Sequence, residues 1–279
     1  MLLGLFLGVW LLGFAGAAEG QAPPPLRITF LDVGQGDAVL IRAPDGQVAL
    51  VDAGPGVDIV PRLRQLGVEK VDLLVASHAH ADHIGGMTRV IAGIPVRKFM
   101  DNGLPYTTSG YRALMRTLAR RTEIEYLEAV PRTISLGTAS IEVLPLPPDR
   151  DDQNNRSVTL LVHYGAFVAF LSGDSERREL SWLVARGAVP DVTLLKAAHH
   201  GSSDGFTPGF LRASRPEVVV ISLGANEYGH PHVEALAAYG SIRARVLRTD
   251  LRGEVTISGY LDGHFDVSEP LAPHTGDRR

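Results

Sequence analysis

His78, His80, Asp82 and His83 place three imidazoles and one carboxylate within six consecutive positions. Neutral imidazole and carboxylate are the standard ligands of zinc and related first-row ions. His78 and His80 are two residues apart, so on extended backbone they point the same way. Asp82 and His83 are neighbours whose side chains diverge, which suits a second, adjacent ion. Ordered spacing of this kind is more specific than a loose histidine-rich tract. The flanking segments say where the cluster sits. Upstream, Val71-Asp72-Leu73-Leu74-Val75-Ala76 is an apolar run of buried-strand length. Downstream, Gly85-Gly86 lets backbone and ligand approach closely. The cluster therefore stands where a buried strand ends, the usual place for a site on an α/β scaffold.

The chain that must carry it has 279 residues, 45% hydrophobic and 21% charged, enough to bury a substantial core. With 27 basic and 31 acidic residues the formal net charge is −4, which excludes a global basic field for nucleic acid and leaves only local patches. There is no cysteine, so disulfides and thiolate ligands are excluded and any metal is held by His and Asp. Met1 to Ala18 carries no charge; Leu2–Phe14 is an apolar core of signal-peptide length, and Ala15-Gly16-Ala17-Ala18 offers small residues to a signal peptidase. The basic residues that usually precede such a core are missing, and the run is at the lower edge of what spans a bilayer. Residues 1–20 read as a cleaved signal peptide, with a membrane anchor as the alternative and a fragment boundary or mis-called start as a third. The first two export the domain, to the periplasm or beyond the cell. Residues 21–26, with Pro23-Pro24-Pro25, form a stiff linker. One domain is expected over 27–270 and an unstructured tail over 271–279.

Within that domain the pattern repeats. Strands are expected at Ala38–Arg42 and Gln47–Val51, the second ending at Asp52-Ala53-Gly54. A helix follows over Asp58–Leu66, then the strand that leads to His78. The second half offers strands at Ser157–Tyr164 and Ala166–Leu171, ending at Ser172-Gly173-Asp174. A helix over Glu176–Arg186 follows, then a buried strand over 191–198 that ends at His199-His200. Two similar ββαβ halves would bring both histidine-bearing strand ends to one edge of a two-sheet sandwich with helices outside, an αββα architecture.

The His78–His83 arrangement and this architecture resemble the metallo-β-lactamase fold hydrolases. Three further segments narrow the resemblance: Leu31-Asp32-Val33-Gly34-Gln35-Gly36-Asp37-Ala38, Lys196-Ala197-Ala198-His199-His200-Gly201-Ser202, and Ser222 to His232. Together with Asn154-Asn155-Arg156-Ser157 they are similar to the soluble hydrolase domain of the ComEC competence proteins, over about residues 27–260. ComEC is a polytopic membrane protein with this domain appended, whereas this chain has one short apolar segment and looks like a stand-alone exported version.

The resemblance implies two divalent ions, zinc first and manganese as the alternative, with His78 and His80 on one and Asp82 and His83 on the other. It makes Asp174 the bridging carboxylate, unless Asp174 only caps the following helix. One of His199 and His200 completes the second site; His200 is favoured as ligand, His199 as a residue near the nucleophile or leaving group. His199 and Asp82 are then the catalytic pair. Most of the superfamily adds another His before the bridging Asp. Here that interval offers Asn154, Asn155, Ser157 and His163, and His163 reads as a structural residue in mid-strand. A first site short of a His makes a harder ion such as manganese plausible. Asn226, His230 and His232 either hold phosphate oxygens or belong to a Gly/Pro turn. Asp37 either orients a ligand His or is a turn residue. Arg112, Arg116 and Arg120, with Arg121 beside them, meet a phosphate backbone or form a solvated helix face. The implied activity is phosphodiester hydrolysis by a metal-activated water, with DNA as substrate. The rivals are a phosphorylcholine esterase, lactonase or β-lactamase on the same fold, and a non-catalytic DNA-binding competence accessory.

Overall fold

The computed structural model describes residues 23–56 and 58–268. The expected export segment at 1–20, the first two linker residues and the tail at 271–279 lie outside the described residues. Six strands open the chain: β1 (Leu26–Phe30), β2 (Val39–Arg42), β3 (Val48–Val51), β4 (Leu73–Val75), β5 (Lys98–Asp101) and β6 (Glu125–Glu128). Seven more follow: β7 (Arg132–Leu136), β8 (Ala139–Val143), β9 (Leu160–Tyr164), β10 (Phe167–Leu171), β11 (Leu194–Lys196), β12 (Val218–Ile221) and β13 (Arg245–Arg248). A final hairpin, β14 (Val255–Gly259) and β15 (Phe265–Ser268), returns to the first sheet. The two sheets run β15-β14-β1-β2-β3-β4-β5-β6 and β13-β12-β11-β10-β9-β8-β7.

The repeat is longer than the sequence pattern indicates. β1, β2 and β3 pair antiparallel in turn, and β3, β4, β5 and β6 pair parallel. β8 to β13 reproduce that ladder strand for strand in the other sheet. The parallel centres explain the continuous apolar runs: β3, β4, β11 and β12 are buried on both faces. Edge strands such as β6 and β15 alternate or carry charge, which blunts them against further pairing.

Inward residues of both sheets, among them Ile28, Phe30, Val75, Val162, Phe167 and Val220, form the core between the sheets. The outer face of the first sheet is covered by helices α1 (Ile59–Gln65), α2 (Ala81–Ile84), α3 (Met87–Gly93) and α4 (Ser109–Ala119). That of the second is covered by α5 (Arg177–Ala185), α6 (Pro208–Ser214) and α7 (Val233–Ser241), while α8 (Thr249–Arg252) leads into the final hairpin. The result is the αββα sandwich. Among the described residues no helix is long and apolar enough to cross a membrane.

Three local expectations need correction. The strand expected over 191–198 is ordered only at Leu194–Lys196, and His199 and His200 follow in left-handed conformation, φ 47° and 53°. The strand expected from Ser157 begins at Leu160, because Asn154–Arg156 form a 3-10 turn. Asp82 and His83, expected to diverge as neighbours, lie on the helical turn α2. The Gly85-Gly86 pair does allow close approach, to backbone: an added Cβ at Gly86 would lie 2.3 Å from the Ala53 carbonyl oxygen.

Candidate metal centre

The site is built where parallel strands end. Beyond β3, Asp52 turns with φ 61° and donates its amide to the Val75 carbonyl of the neighbouring β4. This aims the Asp52 carboxylate at the next strand end, where it accepts from Ser77 N at 2.8 Å and Ser77 Oγ at 2.7 Å. It also accepts from His83 Nδ1 at 2.8 Å. A His fixed through Nδ1 presents Nε2, the arrangement that suits a metal ligand. His83 Nε2 lies 3.1 Å from Asp174 Oδ2 and 3.8 Å from Asp82 Oδ2. Asp82 and His83 therefore converge at their tips, contrary to the expected divergence, because α2 brings both over the same strand end. His78 Nε2 and His80 Nδ1 meet at 3.0 Å, so the two rings share one side although the backbone at 77–79 bends and is not strand.

The second half supplies the other wall. Asp174 follows β10 and donates its amide to Ser157 Oγ at 3.1 Å. His200 donates through Nδ1 to the Ser222 carbonyl at 2.8 Å, so its Nε2 faces Asp82 Oδ2 at 3.3 Å and Asp174 Oδ2 at 3.5 Å. His199 is partly exposed; its Nε2 lies 3.9 Å from Asp174 Oδ2 and its Nδ1 3.3 Å from Glu176 Oε1. Of the two adjacent histidines, His200 is thus the buried one with a fixed ring and a free Nε2.

Asp37, His83, Asp174 and His200 are all buried, with donor atoms within 4.8 Å of one another. Asp37 nevertheless faces the back of the histidines, 3.7 Å from His83 Nδ1 and 3.5 Å from His200 Nδ1. Both Nδ1 atoms already have partners, so Asp37 reads as a group that orients the rings, and Asp82 with Asp174 occupies the Nε2 side. Asp37 also pairs with Lys196, a fully buried lysine on β11. Lys196 Nζ donates to the Gly173 carbonyl at 2.8 Å and stands 3.6 Å from Asp174 Oδ1.

The electrostatics of the cluster call for cations. Burial opposes charge on His83, yet Asp174 and Asp52 outweigh it and hold its pKa well above the ordinary value. Burial is likewise outweighed at His200, where Asp174 and Asp37 push the pKa up to about 9. In both residues protons stand in for positive charge that an ion would bring. His78 and His80 are kept neutral by burial and by their histidine neighbours, the state in which imidazole ligates. His83 Nε2, His200 Nε2 and Asp174 Oδ1 are buried without a hydrogen-bond partner, which is rare unless an ion or water satisfies them. The residues fit a divalent metal centre.

The interval between His83 and Asp174 does other work. Asn154 Nδ2 and Asn155 Nδ2 each donate to Glu176 at 2.9 Å, and Gln153 Oε1 accepts from Ala79 N at 3.2 Å. These contacts hold the carboxylate behind His199 and the loop between His78 and His80. His163 pairs with Glu142 at 3.1 Å across β8 and β9, a structural role as expected.

Of the three residues expected to hold phosphate, two are engaged in shaping their own loop. Asn226 Nδ2 donates to the Gly224 and His230 carbonyls at 2.9 and 3.0 Å, and its Oδ1 accepts from His230 N at 3.0 Å. His232 accepts from Ser203 N through Nδ1 at 2.9 Å, and its Nε2 donates to the Tyr228 carbonyl at 3.2 Å. The loop is polar because it must bond to itself. His230 alone faces the centre, its ring 5.3 Å from His199 and 6.3 Å from His200. Burial, then His199 and His200, push its pKa down to about 4, so it is neutral. Arg112, Arg116 and Arg120 are exposed on α4 and just beyond its end.

Sequence reasoning missed Asp52, Ser77, Glu176 and Lys196 as members of the site. Lys196 left a usable signal, a lone charge inside a buried apolar run. Asp52 left another, as the first-half counterpart of the polar strand end at 172–174.

The chain belongs to the metallo-beta-lactamase superfamily, whose sequence pattern it matches over residues 31–225. Among curated proteins it is similar to ComE operon protein 3 of Bacillus subtilis (strain 168), 28% identical over 257 residues, which cover 82% of this chain and 32% of that protein. It is also similar to competence protein ComA of Neisseria gonorrhoeae, 31% identical over 269 residues, covering 90% of this chain and 35% of that protein. The chain thus spans about a third of the length of these relatives. Among solved structures the fold matches Tm1679, a metal-dependent hydrolase of the beta-lactamase superfamily, at TM-score 0.53 and 16% identity, over 88% of this chain and 100% of that one. It matches CmlA, a diiron beta-hydroxylase from Streptomyces venezuelae, at TM-score 0.54 and 16% identity, over 85% and 55%. One fold carries both chemistries, so function has to be argued from the site.

Proposed function

We propose that the chain hydrolyses phosphodiesters, with DNA as its substrate, by means of two divalent ions. The observation that carries this reading is the convergence of two buried and unsatisfied ring nitrogens, His83 Nε2 and His200 Nε2, on Asp174 Oδ2 beside the His78–His80 pair. His78, His80 and Asp174 would hold one ion, and Asp82, His83, Asp174 and His200 would hold the other. Such ions supply Lewis acidity toward phosphoryl oxygens and lower the pKa of a coordinated water toward ~7. DNA as substrate is supported by the similarity to competence proteins. Zinc suits the imidazole-rich donor set, and manganese is the ion to test beside it.

The chain's own residues do the rest. Asp52 and the Ser222 carbonyl fix the tautomers of His83 and His200. Glu176 lies at Nδ1 of His199, which leaves His199 Nε2 to hold and deliver a proton to the leaving oxygen. The test is metal content of the purified protein, followed by cleavage of single- and double-stranded DNA with zinc and with manganese, and of nitrocefin alongside. Cleavage of DNA that Asp174→Ala abolishes is the expected result. Turnover that survives Asp174→Ala, or hydrolysis of nitrocefin alone, would overturn the assignment.

A further inference from the structure

The loop between β12 and α7 carries a side chain that the chemistry above leaves unused. Tyr228 is 69% exposed. Its ring stacks on His230, with 5.7 Å between centroids and 30° between planes. His230 in turn stands 5.3 Å from His199, whose Nε2 is 3.9 Å from Asp174. Two ring-to-ring steps therefore lead from the metal centre to Tyr228.

The loop does not need this ring for its own shape. Its closure uses the Tyr228 carbonyl, which accepts from His232 Nε2, and the Asn226 side chain, which bridges Gly224 and His230. Tyr126, the other exposed large aromatic among the described residues, donates its hydroxyl to Asp101 at 2.5 Å. Tyr228 has no such hydrogen bond. His230 lies against one side of its ring, and most of the side chain remains exposed.

Resting on the phosphodiesterase reading, we propose that Tyr228 is a stacking platform for an unpaired nucleobase beside the scissile phosphate, which makes single-stranded nucleic acid the preferred substrate. Stacking of a base on an aromatic ring tolerates any sequence, because every base presents a π face. A base inside a duplex has both faces covered by its neighbours and must be unstacked before it meets such a ring. The phosphate chemistry is the same in one strand or two, so a preference has to come from a group that reads the base. Among the described residues Tyr228 combines a largely exposed ring with a ring-to-ring path through His230 to the centre, whereas Tyr106, against His80, is half-buried.

The test uses the metal-loaded enzyme and a single-stranded DNA oligonucleotide. Tyr228→Ala raises KM about five- to a hundredfold, while Tyr228→Phe and Tyr228→Trp keep it within about twofold. A single abasic residue walked along the oligonucleotide raises the wild-type KM at one register and adds nothing further in Tyr228→Ala, as expected when both changes remove the same contact. In Tyr228→Trp, the introduced indole is quenched by the oligonucleotide and not by inorganic phosphate. An unchanged KM in Tyr228→Ala overturns the proposal. So does a rise that is the same for every abasic position, which would mean that the ring shapes the loop. If no phosphodiester is cleaved, the functional reading fails by itself. The platform is then read from the dissociation constant of a fluorescent oligonucleotide, and equal affinity of wild type and Tyr228→Ala overturns it.

Discussion

Asp52 Oδ2 accepts a hydrogen bond from His83 Nδ1 at 2.8 Å, and both side chains are buried. The same carboxylate accepts from Ser77 N and Ser77 Oγ, so one group fixes the start and the end of the His78–His83 cluster. Its backbone φ of 61° is one that Asn also tolerates. Asp52→Asn therefore keeps the fold but turns an amide N–H toward His83 Nδ1. The imidazole then favours the tautomer with its proton on Nε2, the atom needed for the metal. Affinity at the Asp82–His83–His200 ion is expected to fall about 10- to 100-fold, while the His78–His80 ion is retained. Competitive titration with a metal-sensitive dye measures both, and unchanged affinity at both ions would remove Asp52 from the site.

Lys196 presents the opposite case, a cation inside a cluster meant for cations. It is fully buried between Asp37 and Asp174. Burial opposes its charge, but Asp37 and Asp174 prevail and raise its pKa. Lys196→Met leaves Asp37 facing only the two histidine Nδ1 atoms. Breaking a buried pair in this way costs about 3–5 kcal/mol. With metal bound, the ions offset part of the charge on Asp174, so the loss should be smaller than in chelator. Urea unfolding with and without EDTA separates the two, and an equal loss in both would show that Lys196 supports only Asp37.

The comparison of halves shows what a single sequence can carry. The hairpin, helix and strand of each half are local patterns, so the repeat and the αββα sandwich were legible, as was Asp174 at a strand end. Asp52 and Lys196 were not, because their roles arise from neighbours brought in by parallel pairing and by closure of the two sheets: Asp52 meets Ser77 across 25 residues of chain. The left-handed turn at His199 and His200 carries no glycine signal at those two positions, so nothing in the sequence chose between them. Asn226 and His232 stayed open between a turn and a ligand site because a polar side chain that closes a loop and one that binds a ligand look alike in sequence.

Glu179 on α5 gives a pH dependence with a definite sign. Its carboxyl accepts from Ser157 N at 3.1 Å, and Ser157 Oγ holds the Asp174 amide. Burial pushes its pKa from 4.5 up to about 8. Below pH 4.5 both folded and unfolded chains carry the proton and Glu179 has no effect on the slope. Between pH 4.5 and about 8 only the folded chain keeps it, so the stability contribution is lost at up to about 1.4 kcal/mol per pH unit. Glu179→Gln retains an acceptor for Ser157 and removes this loss. The variant should gain on wild type steadily from pH 5 to pH 8 in urea unfolding with chelator present; a pH-independent difference would mean that folded Glu179 is ionised throughout.

Glu176 and His199 divide the proposed proton transfer between a holder and a donor. Glu176 is fixed by Asn154 and Asn155, and His199 Nδ1 lies 3.3 Å from its Oε1. His199 is the first cause that holds the Glu176 pKa below its ordinary value. Glu176→Gln keeps the size and one acceptor but removes the charge that sets the imidazole tautomer. A general acid matters most when the leaving oxygen is basic, and it contributes about 10²- to 10⁴-fold. Glu176→Gln and His199→Ala should each lower kcat by about 10²-fold for an alkyl or nucleoside leaving group. For p-nitrophenolate, which departs without a proton, the loss should be slight, and metal content should stay at the wild-type level. Equal losses for both classes of leaving group would place Glu176 and His199 in metal or phosphate binding and remove them from proton transfer.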